Sequence, residues 1–159
     1  MTDMVNHPSH YTAYQAEVKD VIFEILDYLK LPPYESYVIG NVIKYIIRAP
    51  FKNGLEDINK AEFYLKTIQR VKTEGIVDYK GVIAEAGDIY DAQTLEGTYP
   101  LLLPPALIDD IDNNGDASKE DNRMYLLAID TLVVLMAKMS TDKTVIALLG
   151  LIKDFKEAK

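Results

Sequence analysis

Apolar side chains recur along this chain at spacings of three and four, in segments that prolines and glycines cut apart. A period near 3.6 gathers such residues on one helix face, whereas a half-buried strand needs strict alternation. Val18, Val21, Ile22, Ile25, Leu26 and Leu29 predict a first helix from Glu17 to Lys30. Leu31-Pro32-Pro33 stops it, because proline lacks the amide donor and restricts the residue before it. A second helix is expected from Tyr34 to Ala49, ending before Pro50. Asn53-Gly54 marks a turn, and a third helix runs from Leu55 to Thr73, closing at Gly75. Further on, the pattern predicts helices over Val82 to Leu95, Met124 to Met139 and Thr144 to Phe155. Tyr99-Pro100 and Pro104-Pro105 bracket one loop, and Ile108 to Asp121 reads as another, polar one. No alternating pattern persists and no internal repeat is present. The expected fold is all-α: a compact helical domain with a three-helix module over residues 1–75, packed on C-terminal helices over 76–159.

With 159 residues, 48% of them apolar, the chain suits one folded domain. No apolar run approaches the ~20 residues of a membrane span. The first eight residues lack a basic stretch followed by an apolar core, so no signal peptide is expected. The absence of cysteine excludes a disulfide scaffold, a thiol nucleophile and a cysteine-type zinc site, and a cytoplasmic address is expected. The net charge of −8 is uneven. Residues 1–75 hold nine cationic side chains against ten anionic, residues 76–159 eight against fifteen. Such a balance disfavours duplex DNA, whose displaced counterions call for a lysine and arginine excess. The carboxylates fall mostly opposite apolar positions, as solvated helix faces do, rather than on one DNA-like face. Residues 124–152 carry more apolar surface than one small domain easily hides, which predicts a homodimer or higher homo-oligomer.

The second helix is the most informative segment. Val38, Ile39, Val42, Ile43, Ile46 and Ile47 make it apolar around most of its circumference, so it should be buried. Asn41, Lys44, Tyr45 and Arg48 interrupt that background at i, i+3, i+4 and i+7, all on one face. Cations on a buried helix need anions beside them. Either a neighbouring helix supplies an Asp or Glu, or the face receives an anionic ligand. Lys52 and the backbone amides of Asn53-Gly54 lie just past the helix and could join such a site. The third helix presents Asp57, Lys60 and Tyr64 at i, i+3 and i+7. Both histidines of the chain stand in His7-Pro8-Ser9-His10-Tyr11, where imidazole can donate to phosphate or act as acid or base near neutrality. Cations, hydrogen-bond donors and stacking rings are what a nucleotide or nucleotide-derived ligand requires.

His7-Pro8-Ser9-His10-Tyr11, Gly40-Asn41-Val42-Ile43-Lys44-Tyr45-Ile46-Ile47-Arg48, Lys52-Asn53-Gly54 and Asp57-Ile58-Asn59-Lys60-Ala61-Glu62-Phe63-Tyr64-Leu65 together resemble a family of small phage proteins. The family is catalogued as a domain of unknown function, and one phage member acts as a deoxynucleoside monophosphate kinase. The likeness spans about residues 5–70. It implies a nucleotide-binding protein of the host cytoplasm whose site comprises His10, Tyr11, Asn41, Lys44, Tyr45, Arg48, Lys52, Asp57, Lys60 and Tyr64. If the kinase activity carries over, Lys44, Arg48 and Lys52 would hold phosphate oxygens. Tyr11 or Tyr45 would stack on the base, and His10 or Asp57 would orient or deprotonate the acceptor. ATP would be the donor, with or without Mg²⁺. The chain has no Gly-x-x-x-x-Gly-Lys-Ser/Thr loop, so an ordinary P-loop kinase is excluded.

The same side chains would serve a protein that sequesters a nucleotide immune signal without turnover. A helical nucleotide pyrophosphohydrolase is a third reading, since Glu85, Asp88 and Asp91 share a helix face. That class also needs a paired Glu-Glu-x-x-Glu set, which is missing, and no metal ligand is assigned. Asp110, Asp112, Asn114, Gly115, Ser118 and Asp121 follow the spacing of a calcium-binding loop. Ala117 and the short Asp121 depart from it, and a solvated turn is the preferred reading.

Overall fold

In the computed structural model, residues 18–68, 78–95 and 120–158 are described. They form six helices: α1 (Val18–Leu29), α2 (Pro33–Arg48), α3 (Leu55–Thr67), α4 (Tyr79–Leu95), α5 (Glu120–Met136) and α6 (Thr141–Glu157). A 3-10 turn, Ala49–Phe51, follows α2. Among the described residues there is no strand. The all-α expectation is met.

α2 is the helix around which the others assemble. Val38, Ile39, Val42, Ile43, Ile46 and Ile47 are all buried, and α2 packs against α1, α3 and α5. Three faces of one helix can be covered only if its apolar residues run round most of the cylinder, as they do here. α1 contributes Val18, Val21 and Ile25. α3 contributes Ile58, Ala61 and Leu65, and α6 adds Val145, Leu148 and Ile152. One hydrophobic core therefore runs through elements from both halves of the chain.

Several boundaries differ from expectation, each for a local reason. α3 stops at Thr67 rather than Thr73. The Thr67 hydroxyl donates to the Tyr64 carbonyl at 2.6 Å and the Tyr34 hydroxyl donates to the Thr67 carbonyl at 2.8 Å. Carbonyls that would continue the helix ladder are thus taken by side chains. α4 starts three residues early because Asp78 accepts the Gly81 amide at 3.0 Å, a helix-capping bond. Ser140 does the same for α6, accepting the Lys143 amide at 3.3 Å. α5 begins at Glu120, inside the stretch expected to be loop, and ends at Met136, followed by Lys138 at φ 52. The acidic run from Asp110 lies outside the described residues up to that helix start.

The apolar surplus of residues 124–152 lies inside the molecule. Met124, Leu127, Leu132, Leu135, Leu148 and Ile152 are buried against α1–α4 and against each other. Among the described residues the large apolar side chains left exposed are Phe23, Tyr34, Tyr37, Phe51, Leu55 and Phe63, all on α1–α3 and the turn between α2 and α3.

One ring of α4 lies directly on the α6 backbone. A β-carbon placed on Gly150 would overlap the Tyr79 ring, so glycine is what lets this ring lie on α6. The Tyr79 hydroxyl then reaches one turn on and donates to Asp154 Oδ1 at 2.7 Å. Gly150→Ala should destabilise the protein by about 1–3 kcal/mol through overpacking, although alanine is the better helix former; urea unfolding measures it. The bond to Asp154 raises the Tyr79 phenol above its ordinary value of 10.0, with desolvation adding to it. A raised value means that the fold favours the neutral ring. That contribution is complete below about pH 10 and disappears as pH climbs through the raised value. Melting temperature should therefore fall more steeply above that pH in the wild type than in Tyr79→Phe.

Candidate functional site

α2 and α3 carry seven of the ten sequence candidates and Lys52 lies in the turn between them; His10 and Tyr11 lie outside the described residues. Arg48 is at the end of α2, 6% exposed, and Asp57 in the first turn of α3 is fully buried. They form a two-pronged pair: Arg48 Nε donates to Asp57 Oδ2 at 3.3 Å and Nη2 to Oδ1 at 3.2 Å. The Asn53 amide also donates to Oδ2 at 3.3 Å, and its side-chain Nδ2 to Oδ1 at 3.4 Å. A carboxylate with this many donors resolves the choice posed by the second helix for Arg48: its anion is internal.

The turn is shaped for that purpose. Gly54 has φ 54, a left-handed conformation in which glycine alone avoids strain. It turns the chain so that the Gly54 amide donates to the Ala49 carbonyl at 2.9 Å while its carbonyl receives the Asp57 amide at 3.0 Å. The Asn53 and Gly54 amides, expected to be offered to an external oxyanion, are thus used by Asp57 and Ala49. Lys52 is exposed beside them.

Around this pair sits an aromatic and cationic cluster. Tyr45 and Tyr64 stack across the helices with centroids 5.8 Å apart and planes at 22°. Lys44 Nζ and the Arg48 guanidinium each lie 4.6 Å from the Tyr45 centroid, and Lys60 Nζ 5.6 Å from it. Lys60 also meets Glu56 at 3.1 Å and Asp57 at 4.0 Å. Asn41 Nδ2 donates to the Tyr37 carbonyl at 2.9 Å, so this candidate braces its own helix. The Tyr64 phenol is raised above its ordinary value, chiefly by hydrogen bonding with Tyr37 and then by desolvation. The half-buried Tyr45 ring, offered as a base-stacking group, is already engaged by Tyr64 and three cations.

Two open-faced rings escaped the sequence reading. Tyr37 and Phe63 are 64% and 66% exposed, and both meet Tyr64 edge-to-face at 6.1 and 5.8 Å. Their signal was present: each is a large ring out of register with the buried positions of its own helix. On α4, Glu85 is paired with Lys143 at 3.0 Å. Among the described residues no three histidines or carboxylates converge as a metal site.

Removing one half of a buried pair leaves the other charge uncompensated and costs about 3–5 kcal/mol. Asp57→Ala should lower unfolding stability by that amount. Joint replacement, Arg48→Met with Asp57→Leu, should recover most of it, whereas Lys44→Ala should move stability by less than about 0.5 kcal/mol, as surface changes do. Urea titration of the three proteins checks the order.

No curated protein and no solved structure matches the chain. A family model described as a protein of unknown function (DUF3310) matches residues 5–66, a stretch that holds α1, α2, nearly all of α3 and every candidate residue from His10 to Tyr64.

Proposed function

We propose that the α2–α3 face binds the phosphate and base of a nucleotide or nucleotide-derived small molecule. The observation that carries this reading is the placement of Lys44 and Lys60 beside the stacked Tyr45–Tyr64 pair, with the open Tyr37 ring next to it. Lys44 and Lys60 supply charge-assisted donors to phosphate oxygens, and exposed Lys52 stands past the end of α2. Tyr37 offers an unobstructed face to a base. Arg48 serves differently. Its guanidinium is locked by Asp57, so it holds the Tyr45 ring and the turn in place and adds positive potential rather than reaching for a ligand.

Burial of Asp57 favours binding without turnover at this face. A base or acceptor-orienting group has to come within hydrogen-bond reach of the atom it serves, and Asp57 is fully buried with both oxygens occupied. Phosphoryl transfer from ATP would therefore draw its acid–base chemistry from elsewhere in the chain, such as His10. Sequestration of a nucleotide signal needs no such group.

Calorimetric titration with deoxynucleoside monophosphates, ATP and cyclic dinucleotides tests the reading. At least one should bind, and Lys44→Ala should weaken it roughly tenfold or more, the cost of a charge-assisted bond, with the melting temperature unchanged. Incubation with ATP and each monophosphate should yield no diphosphate. Normal affinity in Lys44→Ala would remove the site, and diphosphate formation would restore the kinase reading.

A further inference from the structure

The stripe on α2 is longer than one nucleotide needs. Tyr34, Tyr37, Asn41, Lys44, Tyr45 and Arg48 follow at i, i+3, i+7, i+10, i+11 and i+14. At 1.5 Å rise per residue, Tyr34 and Lys44 stand about 15 Å apart along the axis. A stacked strand advances about 3.4 Å per nucleotide, so the stripe spans several steps. At its far end the Tyr34 ring is 58% exposed, yet fixed across the two helices by its hydroxyl on the Thr67 carbonyl. Phe63 lies on the α3 side of the same cluster with its ring 66% exposed.

Charge supports a polyanionic occupant. The chain as a whole is −8, yet residues 44–66 hold Lys44, Arg48, Lys52, Lys60 and Lys66 against Glu56, Asp57 and Glu62. Asp57 is neutralised internally, and Glu62 is shared by Lys66 at 3.4 Å and Lys156 at 3.2 Å. Fixed aromatic platforms beside spaced cations are how proteins take single-stranded nucleic acid without reading its sequence, because every base has a stacking face. Duplex DNA keeps its bases stacked on each other and offers no face to these rings.

We infer that the α2–α3 face accepts linked nucleotides, a single-stranded oligonucleotide, with Tyr34 and Phe63 stacking bases beyond the first. This rests on the nucleotide-binding reading above and extends the same site.

Fluorescence anisotropy with a labelled deoxythymidine oligomer, competed by thymidine monophosphate or by the annealed duplex, tests it on the full chain. The oligomer should bind at least tenfold more tightly than the monophosphate, and the duplex more weakly than either strand. Loss of one base–aromatic stack is worth about tenfold, so Phe63→Ala and Tyr34→Ala should each weaken the oligomer by about that factor. Phe63 is largely exposed and is not a member of the buried core, so its variant retains the fold. Both variants should leave monophosphate affinity unchanged. Equal affinity for oligomer and monophosphate overturns the inference while leaving the nucleotide reading intact. Absence of binding by any of the three ligands overturns both. A sedimenting dimer that Phe63→Ala dissolves, with no oligomer binding, shows the face to be an interface between copies and likewise overturns it.

Discussion

An arginine in a helix that is apolar on almost every side needs an anion at fixed distance, because an uncompensated guanidinium in that surrounding would oppose folding by several kcal/mol. Asp57 is that anion, and much of the neighbouring architecture follows from delivering it. The two residues lie nine positions apart, so α2 must end, reverse and restart within a few residues. Pro50 helps to end it, the 3-10 turn begins the reversal, and Gly54 completes it at a φ that other residues resist. Once closed, the turn aligns α2 and α3 closely enough for Tyr45 to stack on Tyr64.

Placing the ion pair inside also separates the cations by role. Arg48 is fixed, and its guanidinium lies on the Tyr45 ring. The lysines remain at the edge: Lys60 is 40% exposed and retains reach on a flexible stem. An arginine at such an edge would tend to form a forked pair with the same carboxylates. Lysine is a compact charge with rotatable donors, and its pair with Glu56 is held weakly, because exposed pairs are worth at most about 1 kcal/mol.

The helices were legible because their period is strong: the six described helices were all foreseen, and α2 matches its expected bounds within a residue at each end. Their ends were less legible where a side chain decides them. Asp78 and Ser140 cap α4 and α6, but Lys80-Gly81 and Thr141-Asp142-Lys143 separate these caps from the apolar runs that drew the expected boundaries. Thr67 ends α3 through a bond to Tyr64 and another from Tyr34, and the latter partner is 33 positions away. The stripe of Asn41, Lys44, Tyr45 and Arg48 was visible as a periodicity. Its division into an internal pair and an outer rim was not, because Asp57 lies in the same register as Lys60 and Tyr64. Only the approach of α3 to α2 shows that Asp57 points inward. Tyr37 and Phe63 were passed over because rings on helices are usually core, and exposure is a tertiary property.

How a chain of net charge −8 gathers Lys44, Lys52 and Lys60 around one pair of helices is then a question of distance. Screening in physiological salt confines surface fields to about 8 Å, so the charge of the far half matters less than the charges within one helix diameter. Around α3 the carboxylates are few and committed: Asp57 is buried against Arg48, Glu56 faces Lys60, and Glu62 is held between Lys66 and Lys156. α6 contributes to this through Lys156, which crosses from the C-terminal half to neutralise an acid of α3. On α4, Glu85 is drawn onto Lys143. The packing that unites the two halves into one core thus also sets the local sign of the α2–α3 face, by directing which carboxylates meet which lysines.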